Sequence, residues 1–170
     1  MFIPYGEKMK KNDVVTLQIT DITSDGFGVG RVENQAVLVP FSAVGDVLEV
    51  LIVGVKKNYC YGKILNIKEE SDSRIKNDCE VFTKCGGCVY RHISYESELR
   101  VKQNAVENNI RRIGGYRDFS VNDIVSLSPK RYRNKAQYPI CKQNGEIKIG
   151  FYSKRSHRVN ECLECLLQPK

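Results

Sequence analysis

Three thiols fall within ten residues, Cys79-Glu80-Val81-Phe82-Thr83-Lys84-Cys85-Gly86-Gly87-Cys88, and any fold of this chain has to accommodate them. A thiolate is a soft ligand, suited to zinc, copper(I) or an iron–sulfur cluster. The glycine pair lets the backbone turn sharply, so that Cys85 and Cys88 can face one centre. Zinc knuckles usually keep short gaps between ligands, and the five residues between Cys79 and Cys85 favour a cluster over a lone tetrahedral ion. Free cysteines also serve as small buried hydrophobes, but the flanking Glu80, Thr83 and Lys84 are not core residues. A redox C-x-x-C reading lacks the buried strand before it and the helix after it. After 73 intervening residues a second pair follows, Cys162-Leu163-Glu164-Cys165.

The cysteine total of seven is odd, and the first residues contain no apolar stretch of signal-peptide length. Both point to metal ligation in a reducing compartment, the cytoplasm, and away from disulfides. No apolar run reaches the length of a membrane span. Charge is unevenly placed. Residues 130–158 hold nine basic residues and one acidic residue, a net of +8, while the whole chain carries +7. So concentrated a patch attracts polyanions, with phosphate backbones the usual partner; a solvated face with nothing bound is the plainer alternative.

Taken in order, residues 1–12 are a polar lead-in. Residues 14–20 alternate Val15, Leu17 and Ile19 against Thr16, Gln18 and Thr20, the pattern of a half-buried strand. Residues 27–32 and 35–39 form a hairpin, and 47–53 and 59–67 are further strands. Five short strands without a helix suggest a small closed OB-like barrel. Gly26, Gly28 and Gly30 do not make a dinucleotide loop, because Arg31 stands where the third glycine belongs and a strand follows. Alternate glycines instead let a barrel strand bend or another backbone approach. Barrels of this kind bind nucleic acid on a curved face, and Phe27, Arg31, Lys57 and Tyr59 are candidates for it. Residues 69–73 read as a linker.

A helix starts with Ser94 as N-cap and Glu96 in its first turn. Tyr95, Leu99, Val106, Ile110 and Ile113 form its apolar stripe, read as plain packing, and Gly114-Gly115 stops it. Residues 121–127 are expected to be extended. Residues 130–158 read as strands, with Asn144-Gly145 as a hairpin turn. Arg131, Arg133, Asn134, Lys135, Gln137, Phe151, Arg155, His157 and Arg158 are the RNA-contacting candidates here. Guanidinium pairs with phosphate through two hydrogen bonds, and aromatic rings stack on unpaired bases. The fold class expected is thus mainly β with an α+β part: a barrel over 1–70, a cysteine segment over 71–93, a helix and connection over 94–128, and the start of a β-rich domain over 129–170. No nucleophile–base pair, P-loop or paired carboxylate stands out, so no catalytic residue is assigned; His92 and His157 read as structural hydrogen-bonders.

Cys79-x5-Cys85-Gly86-Gly87-Cys88, Tyr132-Arg133-Asn134-Lys135-Ala136-Gln137-Tyr138-Pro139, Ile149-Gly150-Phe151-Tyr152, Ser156-His157 and Cys165 together resemble the iron–sulfur members of the RNA uracil-5-methyltransferase family. Residues 8–69 resemble that family's TRAM domain, an RNA-binding barrel. The resemblance implies a 4Fe–4S cluster on Cys79, Cys85, Cys88 and Cys165. It implies RNA as partner, ribosomal RNA before transfer RNA, and no membrane. It also implies a catalytic domain that uses S-adenosylmethionine. There a cysteine adds to a flipped-out uracil, the neighbouring carbon takes the methyl group, and a carboxylate removes the proton. Neither nucleophile nor cofactor fold is present in these 170 residues, so methyl transfer is expected of a longer, monomeric enzyme and not of this chain. The helix stripe would pack on that domain. Two other readings stay open: a stand-alone RNA-binding module holding zinc or a cluster, and an electron-transfer protein, which leaves the basic segment unexplained.

Overall fold

The computed structural model describes residues 8–169; the first seven residues of the polar lead-in lie outside them. The chain divides into two units. One takes in the chain up to Ile75 together with His92–Val121, and the other takes in Lys76–Arg91 with Asn122 onward.

In the first unit the period-two patterning becomes a closed barrel of β1 (Val14–Ile22), β2 (Phe27–Val32), β3 (Gln35–Pro40), β4 (Val47–Val55) and β5 (Tyr59–Glu69). The order around it is β1-β2-β3-β5-β4. All pairs are antiparallel except β3 with β5, which run parallel. Val15, Leu17 and Ile19 point inward as their alternation requires, and meet Val37, Val39, Leu48, Val50, Ile52 and Cys60 in the core. Burial, then the nearby Asp13, pushes the Cys60 thiol up, as befits a cysteine used as a small hydrophobe. The alternate glycines have the expected cause. A Cβ on Gly28 would collide with the Ser42 hydroxyl, and one on Gly30 would collide with the Leu17 side chain and come within 2.8 Å of the Gln18 carbonyl.

The stretch after β5 is more than a polar linker. Asp46, fully buried, accepts from the backbone N–H of Ala43 (2.6 Å) and of Ser71 (3.0 Å). Arg74 donates to both oxygens of the same carboxylate, at 2.8 and 2.7 Å, and to the Phe41 carbonyl at 3.1 Å. Burial alone would raise the Asp46 pKa, but the Arg74 bond and the two backbone bonds outweigh it and hold the carboxyl below its ordinary value. Strand β5 therefore runs straight into a latch. His92, also buried, approaches the Ser42 carbonyl through Nε2 at 3.1 Å, a structural role as expected.

Helix α1 (Tyr95–Arg112) begins where the cap predicts, the Ser94 hydroxyl accepting from the Ser97 N–H. Beyond it Gly115 has a φ of 73°, in the left-handed region where glycine ends helices without strain. The stripe is not packed along its length: Ser97 is the buried residue of α1, while Val106 is 49% and Ile113 83% exposed.

The second unit carries a three-stranded antiparallel sheet, β6 (Ile140–Gln143), β7 (Glu146–Tyr152) and β8 (Val159–Glu161), in that order. Asn144 and Gly145 both have positive φ, 52° and 88°, which makes the predicted hairpin turn. One expectation needs correction. Residues 130–139 form no strand; backbone bonds tie the stretch down, from Arg131 N–H to the Leu166 carbonyl, from Arg133 N–H to that of Leu167 and from Gly150 N–H to that of Pro139. The left-handed φ of 59° at Arg131 breaks the alternation that a strand needs. And β8 has too short an apolar pattern to announce itself.

Candidate cysteine centre and nucleic-acid interface

Residues 79–85 form a tight turn, with N–H bonds from Phe82 to the Cys79 carbonyl (3.1 Å) and from Cys85 to that of Val81 (2.7 Å). Phe82 is buried and anchors it. The side chain of Asn77 brackets Cys79, donating to its carbonyl (2.6 Å) and accepting from its N–H (3.2 Å). The Gly87 N–H donates to Cys85 Sγ at 3.3 Å, a contact that favours thiolate. Asp78 receives Arg91 (2.7 Å) and Lys130 (2.6 Å). Burial pushes its carboxyl up, and these two cations bring it below its ordinary value.

Cys165 belongs to the same neighbourhood. The Arg131 guanidinium donates to the Cys165 carbonyl (3.3 Å) and the Gln168 carbonyl (3.0 Å), and pairs with Glu164. Burial raises the Cys85 and Cys88 thiols first. The neighbouring Cys79 and Cys165 raise both further, opposed by the Gly87 N–H at Cys85 and by Arg91 at Cys88. Cys79, Cys85, Cys88 and Cys165, the four named by the resemblance, therefore share one neighbourhood. Cys162 shares the neighbourhood: burial and then Cys165, Cys79 and Cys85 push it up to about 11, and its S–H donates to the Glu164 carbonyl at 3.3 Å. Among the described residues, however, no three His, Cys, Asp or Glu side chains converge closely enough for a single metal ion. Thiols are nonetheless the soft donor type that zinc or an iron–sulfur cluster takes.

The expected RNA-contacting residues fall into three places. On the barrel, Phe27, Tyr59 and Tyr61 form a partly exposed aromatic group: Phe27 to Tyr61 at 5.9 Å, Tyr59 to Tyr61 at 5.4 Å edge-on. The Tyr59 and Tyr61 hydroxyls lie 3.5 Å apart, and that contact raises the Tyr59 phenol. Arg31 is exposed on β2, two and four places from outward Val29 and Phe27, and Lys57 is exposed in the β4–β5 turn. Sequence reasoning misses Tyr61. Its signal is the two-residue spacing from Tyr59 around an inward Cys60.

In the second unit Tyr138 lies 5.1 Å from Phe151, and His157 sits edge-on to Tyr152 at 5.3 Å. Arg155, His157 and Arg158 are exposed in the turn between β7 and β8, while Arg133, Asn134, Lys135 and Gln137 are exposed on the irregular 130–139 stretch. Arg131 differs from these. Its guanidinium is committed to the Cys165 segment.

One sequence comparison bears on the barrel. Residues 8–65 match the TRAM domain. The matched stretch is the barrel, which carries Phe27, Arg31, Lys57, Tyr59 and Tyr61. Similarity extends through the second unit as well. An uncharacterised RNA methyltransferase of Halalkalibacterium halodurans is 42% identical over 161 residues, covering 94% of this chain and 35% of that protein. One from Clostridium tetani is 40% identical over 161 residues, with the same coverage of 94% and 35%. This chain thus spans about a third of the length of the curated relatives it matches. Among solved structures, the tRNA (uracil-54, C5)-methyltransferase of Pyrococcus abyssi, in complex with S-adenosyl-L-homocysteine, superposes with a TM-score of 0.55 at 23% identity. The match covers 91% of this chain and 33% of that one, and shows a shared fold. No helix among the described residues is long and apolar enough to cross a membrane.

Proposed function

We propose that this chain is the RNA-gripping, cluster-bearing portion of an S-adenosylmethionine-dependent RNA uracil-5-methyltransferase. The observation that carries the reading is similarity to RNA methyltransferases along 94% of the chain, through both the TRAM barrel and the cysteine-bearing unit. In this reading the methyl donor and the nucleophile belong to the part of the relatives' length that this chain does not span. The chain itself holds a structured RNA, ribosomal first and transfer RNA second. Arg133, Lys135, Arg155 and Arg158 neutralise phosphates, and the rings of Phe27, Tyr59 and Tyr61 offer stacking faces to unpaired bases. Cys79, Cys85, Cys88 and Cys165 would hold a 4Fe–4S cluster, whose iron–thiolate bonds would cross-link the two cysteine segments.

The test is titration of a labelled ribosomal RNA hairpin with the purified chain at several salt concentrations. Replacing Arg133 and Lys135 together by Ala should weaken binding and reduce the salt slope by roughly 0.7 to 0.9 for each phosphate that is no longer neutralised. Tyr59→Ala with Tyr61→Ala should instead weaken binding with the slope kept, by about 1–3 kcal/mol for each stacked base. Native affinity and slope in the Arg133/Lys135 variant would return the basic segment to a solvated face, and a transfer RNA preferred over the ribosomal hairpin would reverse the order of substrates.

A further inference from the structure

The cysteine loop and the basic turn between β7 and β8 are joined backbone to backbone. The Gly86 N–H donates to the Tyr152 carbonyl at 2.8 Å, and Cys85 forms an isolated antiparallel bridge with Ser153. A Cβ on Gly86 would lie 3.1 Å from the Tyr152 carbonyl oxygen and 3.3 Å from the Lys154 nitrogen, so a side chain there would force the two segments apart. Asn160 on β8 completes the joint. Its amide Nδ2 donates to Ser153 Oγ (2.8 Å) and to the Lys84 carbonyl (3.2 Å), with the Phe151 carbonyl at 3.4 Å. One side chain therefore grips the cysteine loop, the first residue of the turn and the strand that leads into it.

What is held in this way is the exposed turn that closes the β7–β8 hairpin. Within it the Ser153 N–H reaches the Arg158 carbonyl (2.9 Å), the Ser156 N–H the Ser153 carbonyl (3.2 Å), and the Arg158 N–H the Ser156 hydroxyl (3.1 Å). Arg155 has a φ of 55°, an unfavourable left-handed conformation for a residue with a side chain. Residues 154–158 are all exposed and include Lys154, Arg155 and Arg158. An exposed turn containing a strained residue keeps its shape only where its surroundings fix it. Here the surroundings include, beside the β7–β8 pairing, Lys84, Cys85 and Gly86, two of which lie between the cysteines and one of which is a cysteine.

We propose that the cysteine loop is the template for this turn, that Asn160 is the positioning residue that joins them, and that the order of the loop thereby sets how tightly Lys154, Arg155 and Arg158 hold an RNA phosphate backbone. The proposal rests on the RNA-binding reading above. Ligation of the thiols would stiffen the loop, so a change at the cysteines would be felt as a change in RNA grip.

The experiment compares Asn160→Ala, Gly86→Ala and the double variant Arg155→Ala/Arg158→Ala of the anaerobically prepared chain. Three readouts are taken: iron and sulfide content, hydrogen exchange of residues 153–158, and the salt-dependent affinity for a labelled ribosomal RNA hairpin. Asn160→Ala should keep the iron content of the parent, exchange the turn amides roughly tenfold faster, and bind RNA more weakly with a smaller salt slope. Gly86→Ala should likewise speed exchange of the turn amides and weaken RNA binding by wedging the segments apart, and stands in should Asn160→Ala fold poorly. The double variant should lose RNA affinity with exchange unchanged. Native exchange and native affinity in Asn160→Ala and Gly86→Ala would overturn the template. Native affinity in the Arg155/Arg158 variant would instead overturn the RNA reading of this turn.

Discussion

Replacing Cys79 by Ser is expected to bleach the protein. In the cluster reading the anaerobically purified chain is brown, with broad visible absorbance and iron and sulfide in near-equal amounts, and removal of one of four thiolate ligands takes most of both away. Cys162→Ser should leave the colour intact, because the Cys162 S–H already has a partner in the Glu164 carbonyl. The rival metal reading uses different residues. Zinc on the two C-x2-C pairs would take Cys85, Cys88, Cys162 and Cys165 and leave Cys79 idle. A colourless protein whose single zinc survives Cys79→Ser but not Cys162→Ser would therefore replace the cluster with an ion. The gathering of five thiols around one neighbourhood makes the variants, and not the wild-type metal content alone, the deciding measurement.

Asp46→Ala should be the most destabilising single change in the barrel unit. It strands the Arg74 guanidinium, whose side chain is 14% exposed, and removes the acceptor for two backbone N–H groups. Removing one partner of a buried pair costs about 3–5 kcal/mol, a large part of the stability of a small domain. Urea denaturation followed by circular dichroism would measure it. The acid dependence has a definite sign. Because the folded carboxyl lies below its ordinary value, its contribution is complete above the unfolded carboxylate pKa of about 4 and is lost as pH falls through the lower folded value. The wild type should thus hold this stability down to about pH 5 and shed it below, and the Ala variant should lack that acid-dependent part. A destabilisation of less than about 1 kcal/mol, the range of an exposed ion pair, would mean that the latch is solvated.

The barrel is legible because its information is local. Strict alternation in β1 sorts Val15, Leu17 and Ile19 from their polar neighbours, and paired inward glycines mark where strands crowd. The Asn144-Gly145 turn and the Ser94 cap are readable for the same reason, each being a few residues whose own chemistry selects one conformation. Features that depend on distant partners are not. Nothing around Asp46 announces that Arg74 will cover it. The 130–139 stretch carries alternating polar groups, yet a strand needs a neighbour, and the left-handed Arg131 forbids a continuous ladder. For the cysteines, the local trio is evident from spacing, whereas Cys165 enters through family resemblance and Asn160 has no sequence signal at all.

The latch also changes the cost of assembling the cysteine loop. Ile75 donates to the His92 carbonyl at 3.1 Å, Ser94 to that of Ser73 at 2.7 Å, and Arg74 forms an isolated bridge with Ile93. Residues 76–91 are therefore an insertion whose two ends are stapled side by side by the barrel unit. Joining the ends of a free segment of that length costs on the order of 2–3 kcal/mol in chain entropy. Here the folded barrel unit has already met that cost, so Cys79, Cys85 and Cys88 lie on a loop whose ends are closed without any ligand.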